Sequence, residues 1–219
     1  QGAVICGAYG RGNAGDEAIL RGIVSQMRSI DPEMPMTVLS RDKLDTRLKN
    51  HTNAIHIFNV PSFLRHLRHA RIFINGGGSL IQDVTSSRSL YFYLFTLWAA
   101  RLCGCRVIMY GCGIGPIRRG FNQRLAAGVL DRNVEIITLR DSKSMDVLKS
   151  MKVERPRIYL TADPTVNFQP CNAEQTKAAF AAENIPDGLP KIGFCLRNWP
   201  SFTNYQAVAK AADYAYQRY

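Results

Sequence analysis

A chain of 219 residues in which 46% are apolar carries enough hydrophobic material for a packed core, which excludes a disordered protein. Lys and Arg outnumber Asp and Glu by 28 to 17, so the net charge of +11 points toward acidic partners: phosphates, carboxylated sugars, nucleic acid or an anionic membrane surface. The longest apolar run, Leu90 to Ala100, is too short to span a bilayer, and no export signal is read, which sets the expectation of a cytoplasmic protein.

In chain order, seven short apolar runs read as strands: Ala3 to Ala8, Met36 to Ser40, Ala54 to Val60, Ala70 to Gly76, Cys105 to Gly111, Val134 to Arg140 and Arg157 to Asp163. Helices are predicted between them at Asp16 to Ser29, Pro61 to His69, Arg88 to Leu102, Gly120 to Asp131 and Ser142 to Met151. In the first, Ala18, Ile19, Ile23 and Met27 form one apolar stripe. In the third, Phe92, Phe95 and Trp98 read as core. This alternation predicts an α/β fold, a Rossmann-like parallel sheet flanked by helices. Two prolines and two asparagines between Pro164 and Glu174 break the pattern. The expected organisation is therefore a first domain over 1–168, a linker and connecting helix over 169–190, and the start of a second Rossmann-like domain over 191–219. That last part would hold a strand at Lys191 to Trp199 and a helix from about Tyr205.

The six cysteines have no paired C-x-x-C spacing and read as small core residues in a reducing compartment, and neither histidines nor carboxylates cluster as metal ligands do. The basic stretch Arg65 to Arg71 reads as a solvated face, or as a surface that rests on anionic lipid. Aromatic residues are not interleaved with the basic ones, so nucleic acid is not an expected partner.

Three glycine-rich segments follow the first, fourth and fifth predicted strands: Gly7 to Asp16, Asn75 to Asp83 and Gly111 to Pro116. Glycine lets backbone N–H groups approach a ligand and a following helix adds its positive end, so each segment is a candidate anion cradle. Gly10, Gly12 and Gly15 satisfy the spacing G-x-G-x-x-G, but three residues separate Cys6 from Gly10. Asp16 and Glu17 in the first helical turn would repel a pyrophosphate and favour the helix dipole instead. The residue that would meet a ribose is ambiguous among Ser40, Arg41 and Asp42.

Several ordered motifs together resemble one family. The motifs G-x-x-G-x-G-N-x-G-D-E-A-I-L at Gly7, FINGGGSLIQD through Leu94, VIMYGCGIGPI at Val107, ITLRDSKS through Leu148 and TADPTV at Thr161 resemble the polysaccharide pyruvyl transferases of the cell-surface anchoring type. The resemblance covers roughly the first 170 residues, and GFCLRNW at Gly193 is similar to the first strand of that family's second domain. It implies a two-domain GT-B-like fold and transfer of pyruvate from phosphoenolpyruvate onto two sugar hydroxyls as a cyclic ketal, with release of phosphate. The implied partners are phosphoenolpyruvate as donor substrate, with no further cofactor, and a glycan acceptor that a lipid carrier often bears. A histidine acid or base and a phosphate-gripping lysine are implied for the second domain, and a chain holding only its start is expected to be inactive alone. The fold by itself equally admits a GT-B glycosyltransferase with a nucleotide-sugar donor.

Within that frame Arg140, at the carboxyl end of a strand, is the first candidate to grip carboxylate or phosphate; the alternative is a local ion pair with Asp141. Arg197 ends the later strand in the same way. Asp16 and Asp83 are the candidate proton-transfer carboxylates, with helix capping and turn formation as their alternatives. Gly12, Asn13, Gly15, Gly77, Gly78, Ser79, Gln82, Arg88, Gly113 and Gly115 are the candidate substrate-binding positions, the polar ones serving either sugar hydroxyls or the loop backbone.

Overall fold

Each predicted strand is apolar at successive positions rather than at alternate ones, and such a strand needs cover on both faces. In the computed structural model, which describes residues 2–196 and 202–218, the seven runs become β1 (Gly2–Cys6), β2 (Met36–Ser40), β3 (Asn53–His56), β4 (Ala70–Ile81), β5 (Arg106–Ile114), β6 (Ile136–Leu139) and β7 (Arg157–Leu160). They form one sheet in the order β3-β2-β1-β4-β5-β6-β7, with every neighbouring pair parallel. The fold is α/β and Rossmann-like. The chain runs outward through β1, β2 and β3, then returns to lay β4 beside β1, so the switch point where such sheets bind ligands lies between β1 and β4.

The helices among the described residues are α1 (Ala14–Ile30), α2 (Lys43–Asn50), α3 (Val60–His69), α4 (Ser87–Leu102), α5 (Gly120–Asn133), α6 (Ser142–Ser150), α7 (Ala173–Ala182) and α8 (Tyr205–Arg218). Strand alternation divides the core into two layers. Val4 and Cys6 of β1 join Phe63 and Leu67 of α3, Leu90 and Leu97 of α4, Leu130 of α5 and Leu148 of α6. Ala3 and Ile5 point the other way, onto Ile19, Leu20 and Ile23 of α1. Burying each large aliphatic side chain contributes roughly 1.5–3 kcal/mol, so neither layer is dispensable. Cys6, Cys105 and Cys112 sit inside, and burial pushes their thiols up to about 12, 11 and 12, which leaves them unreactive at neutral pH.

Three local expectations are corrected. Helix α2 was not anticipated, because Leu44 and Leu48 are exposed while Thr46 and Asn50 are buried, so no apolar stripe announces it. Trp98 is 46% exposed and Phe92 and Phe95 are half-buried; the helix is apolar nearly all round, and only its seat on the sheet selects Leu90, Leu94 and Leu97 as core. The glycine segments after the fourth and fifth strands are not wholly loops. Pairing of β4 with β5 continues through Gly76 and Gly78 to Ile81 across a register shift, so much of both segments is strand.

The chain divides into two compact units, Gln1–Phe168 and Gln169–Tyr219. In the second, Asn172 and Gln175 form a reciprocal capping box at the start of α7, and neither α7 nor α8 contains a buried residue. The strand expected from Lys191 is not formed over 191–196, which has no partner strand to satisfy its backbone. The rest of that expectation, including Arg197, lies outside the described residues.

Candidate functional site

The carboxyl ends of β4, β5, β6 and β7 bring together a compact polar group. Arg140 follows β6 directly. Its Nη1 donates to Asp163 Oδ2 at 2.8 Å and its Nη2 to Ser79 Oγ at 3.2 Å. The side chains of the pair are 30% and 24% exposed, so the guanidinium is screened from bulk water without being sealed from it. Asp163 also accepts the N–H and hydroxyl of Thr165 at 3.0 and 2.8 Å. Burial works against its charge, yet the Arg140 guanidinium and the two Thr165 donors outweigh that and hold its carboxyl below the usual range. The expected alternative, an Arg140 pair with Asp141, is not formed: Asp141 caps α6 by accepting from Ser144 N at 2.8 Å.

Gly113 of β5 lies against this group. A side chain there would meet Ser79 Oγ at 2.7 Å and Arg140 Nε at 3.5 Å, so the bare backbone keeps open the space in front of the guanidinium fork. Beyond the two bonds to Asp163 and Ser79, the fork has further N–H groups to offer a bidentate oxyanion. Asp16 is half-buried and reaches the same neighbourhood from α1, where its Oδ1 lies 3.5 Å from the position a Cβ on Gly78 would take. It is not the cap of α1. Asn13 fills that role by accepting from Gly15 N at 3.0 Å, and Glu17 folds back to accept from Gly10 N at 2.7 Å.

The other sequence candidates separate by location. Ser79, Gly78 and Gly113 join Arg140, and Gly77 precedes them in β4 with φ of 66°. Gly12 and Gly15 are exposed on the loop into α1. Gln82 is committed to its own turn, its Oε1 accepting from Val84 N and Thr85 N and its Nε2 donating to Thr85 Oγ1 at 2.6 Å. Gly115 precedes a cis proline and donates its N–H to Ile81 O at 2.7 Å, which makes it part of the turn out of β5. Arg88 opens α4 and lines a different pocket, with Arg11 and Arg41.

Asp83 is a clamp rather than a proton donor. It accepts from Arg118 N at 2.7 Å, Arg119 N at 3.1 Å and Asn122 Nδ2 at 2.8 Å, thereby serving the start of α5, whose own N-cap residue Arg119 supplies no side-chain bond. Desolvation raises its pKa, but these three donors prevail and hold the carboxyl below the usual carboxylate range. A group whose folded pKa is depressed stabilises the fold above its unfolded value, about 3.9, and that contribution is lost as the pH falls through the folded value. Asp83→Ala is therefore expected to lower the thermal midpoint at pH 7 by about 2–4 °C, the effect of losing a helix cap worth roughly 1 kcal/mol. The gap from the unsubstituted protein should shrink below pH 3; a constant gap in circular-dichroism melts from pH 2 to 7 would contradict an ionised clamp.

Asp163, Arg11 and Arg41 were not singled out as site residues from sequence. Asp163 lay within the quoted TADPTV motif and Arg11 within the first glycine segment, which were the available signals. Among the described residues no group of three His, Cys, Asp or Glu side chains is placed to hold a metal ion, and no helix is long and apolar enough to cross a membrane. A family model described as polysaccharide pyruvyl transferase matches residues 13–216. No curated protein matches the chain.

Proposed function

Because the chain belongs to the polysaccharide pyruvyl transferase family, we propose that it takes part in moving pyruvate from phosphoenolpyruvate to a cell-wall or surface glycan as a cyclic ketal, at the cytoplasmic side where that donor is made. The observation that carries the reading is the Arg140 group: a guanidinium at the carboxyl edge of the sheet, oriented by Asp163 and Ser79 and opened in front by Gly113. Phosphoenolpyruvate offers two oxyanions, a carboxylate and a phosphate, and the fork of Arg140 suits either in two-point fashion.

In this reading one acceptor hydroxyl adds through oxygen to the central carbon of the enol, and the methylene carbon takes a proton to become methyl. The second hydroxyl then displaces phosphate from that carbon, closing the ketal, and its proton leaves with the phosphate. Arg140 stabilises the charge that gathers on the departing phosphate or holds the carboxylate through both steps. Asp16, at the border of Gly78, is the carboxylate available to receive a hydroxyl proton, whereas Asp83 is consumed by the start of α5.

Ligand-induced thermal shift tests the donor. Phosphoenolpyruvate is expected to raise the melting temperature saturably, and to do so less in Arg140→Ala. Stabilisation by a UDP-sugar with no response to phosphoenolpyruvate would overturn the reading in favour of a glycosyltransferase.

A further inference from the structure

Arg11, Arg41 and Arg88 line one pocket of about 430 Å³, within the range that admits a small ligand. They come from three separate places on the carboxyl edge: the loop after β1, the residue after β2 and the first turn of α4. None of them belongs to an ion pair among the described residues, whose salt bridges all involve other groups. Three cations facing one cavity without a carboxylate repel one another, and a multiply charged oxyanion placed among them would relieve that repulsion. The N-terminus of α4 adds to the field, with Ser86 as its cap accepting from Arg88 N at 3.1 Å and lining the same pocket.

The opposite wall is aromatic. Phe58, 59% exposed, carries the Arg41 guanidinium 5.2 Å from its ring centroid and packs edge-on against Phe92 at 6.2 Å. Such a surface beside the cations suits a ligand with an apolar ring face next to its charge, and the hydroxyls of Thr85 and Ser89 lie in the same lining for hydrogen bonding to its polar edge. We propose that this pocket binds a glycosyl phosphate, with the phosphate among Arg11, Arg41 and Arg88 and the sugar ring against Phe58 and Phe92. The inference rests on the glycan-acceptor reading and deepens it. Strands β1 and β2 lie three and four places from β6 in the sheet, which at 4.7–4.9 Å per strand sets the pocket's loops roughly 14–19 Å from that of Arg140. A phosphate held here is thus a handle of the acceptor, distinct from the phosphate that leaves the donor.

The test is titration calorimetry on the 219-residue chain without phosphoenolpyruvate, using glucose 1-phosphate, inorganic phosphate and methyl glucoside as probes. Glucose 1-phosphate should bind more tightly than either of the others. Arg41→Ala and Arg88→Ala should each weaken it at least tenfold, while Arg65→Ala, on the exposed side of α3, should leave it unchanged. The three arginines are exposed, so the variants are expected to keep the parent circular-dichroism spectrum. Flotation with phosphatidylinositol vesicles separates two sources of the same chemistry. Flotation that glucose 1-phosphate displaces supports a lipid-borne ligand, and tight binding of the soluble probe without flotation supports a free one. Absence of binding, equal binding of inorganic phosphate, or indifference to Arg41 and Arg88 would overturn the pocket. No donor is present in this titration, so a positive result stands even where pyruvyl transfer fails, and a working transferase indifferent to both arginines would remove the pocket alone.

Discussion

Replacing Arg140 with alanine is expected to lower phosphate release from phosphoenolpyruvate by at least tenfold in the active enzyme. Losing a charge-assisted hydrogen bond to donor or transition state costs about 1.5–3 kcal/mol, and each 1.4 kcal/mol is a factor of ten. Arg140→Lys should recover only part of the rate, since an ammonium is a point charge without the planar fork that presently spans Asp163 and Ser79. The pair with Asp163 is only partly buried, so its own stabilising contribution is modest and the variant is expected to remain folded. Circular dichroism alongside the phosphate assay checks that condition. A folded Arg140→Ala enzyme with ordinary turnover would reduce Arg140 to an anchor for the turn at Pro164 and send the search to Asp16.

The largest effect on stability is expected from Gly10→Ala. Gly10 has φ of 72°, and a Cβ there would strike Ser40 Oγ and the backbone nitrogens of Arg41 and Asp42, which cannot move without displacing the end of β2. The left-handed conformation costs an alanine about 1–2 kcal/mol and the overlap roughly 1–3 more. Together these lower the thermal midpoint by about 5–15 °C. Gly12 supplies the control. It has φ of 69° but open space around its Cβ position, so Gly12→Ala carries the conformational cost alone and should melt about 2–8 °C below the parent. Equal midpoints for the two variants in parallel melts would show that the contact with the β2 turn is not what requires glycine at position 10.

The sequence by itself determined the layered α/β class, because a strand apolar on successive positions has to be covered on both sides, and β1, β2 and β4 are of that kind. It also determined most helices, where an amphipathic stripe such as Ile19 and Ile23 coincides with a capping residue such as Asn13. Helix α2 escaped because its apolar residues face solvent, and Trp98 was misplaced because a helix apolar all round carries no record of which side lies on the sheet. At the site, Arg140 was legible from its position at a strand end, but its partner was not. Asp141 is its neighbour in sequence and Asp163 is 23 residues away, yet β6 and β7 run parallel and adjacent, so both strands deliver their following residues to the same edge. Asp141 is drawn instead into the first turn of α6 by Ser144 N. Asp83 and Asp16 looked alike in sequence and are separated only by the donors around them, three for Asp83 from the start of α5. Arg11, Arg41 and Arg88 share no spacing at all. They meet because the sheet places β2, β1 and β4 side by side in that order, and a parallel sheet collects on one edge the loops of strands far apart along the chain.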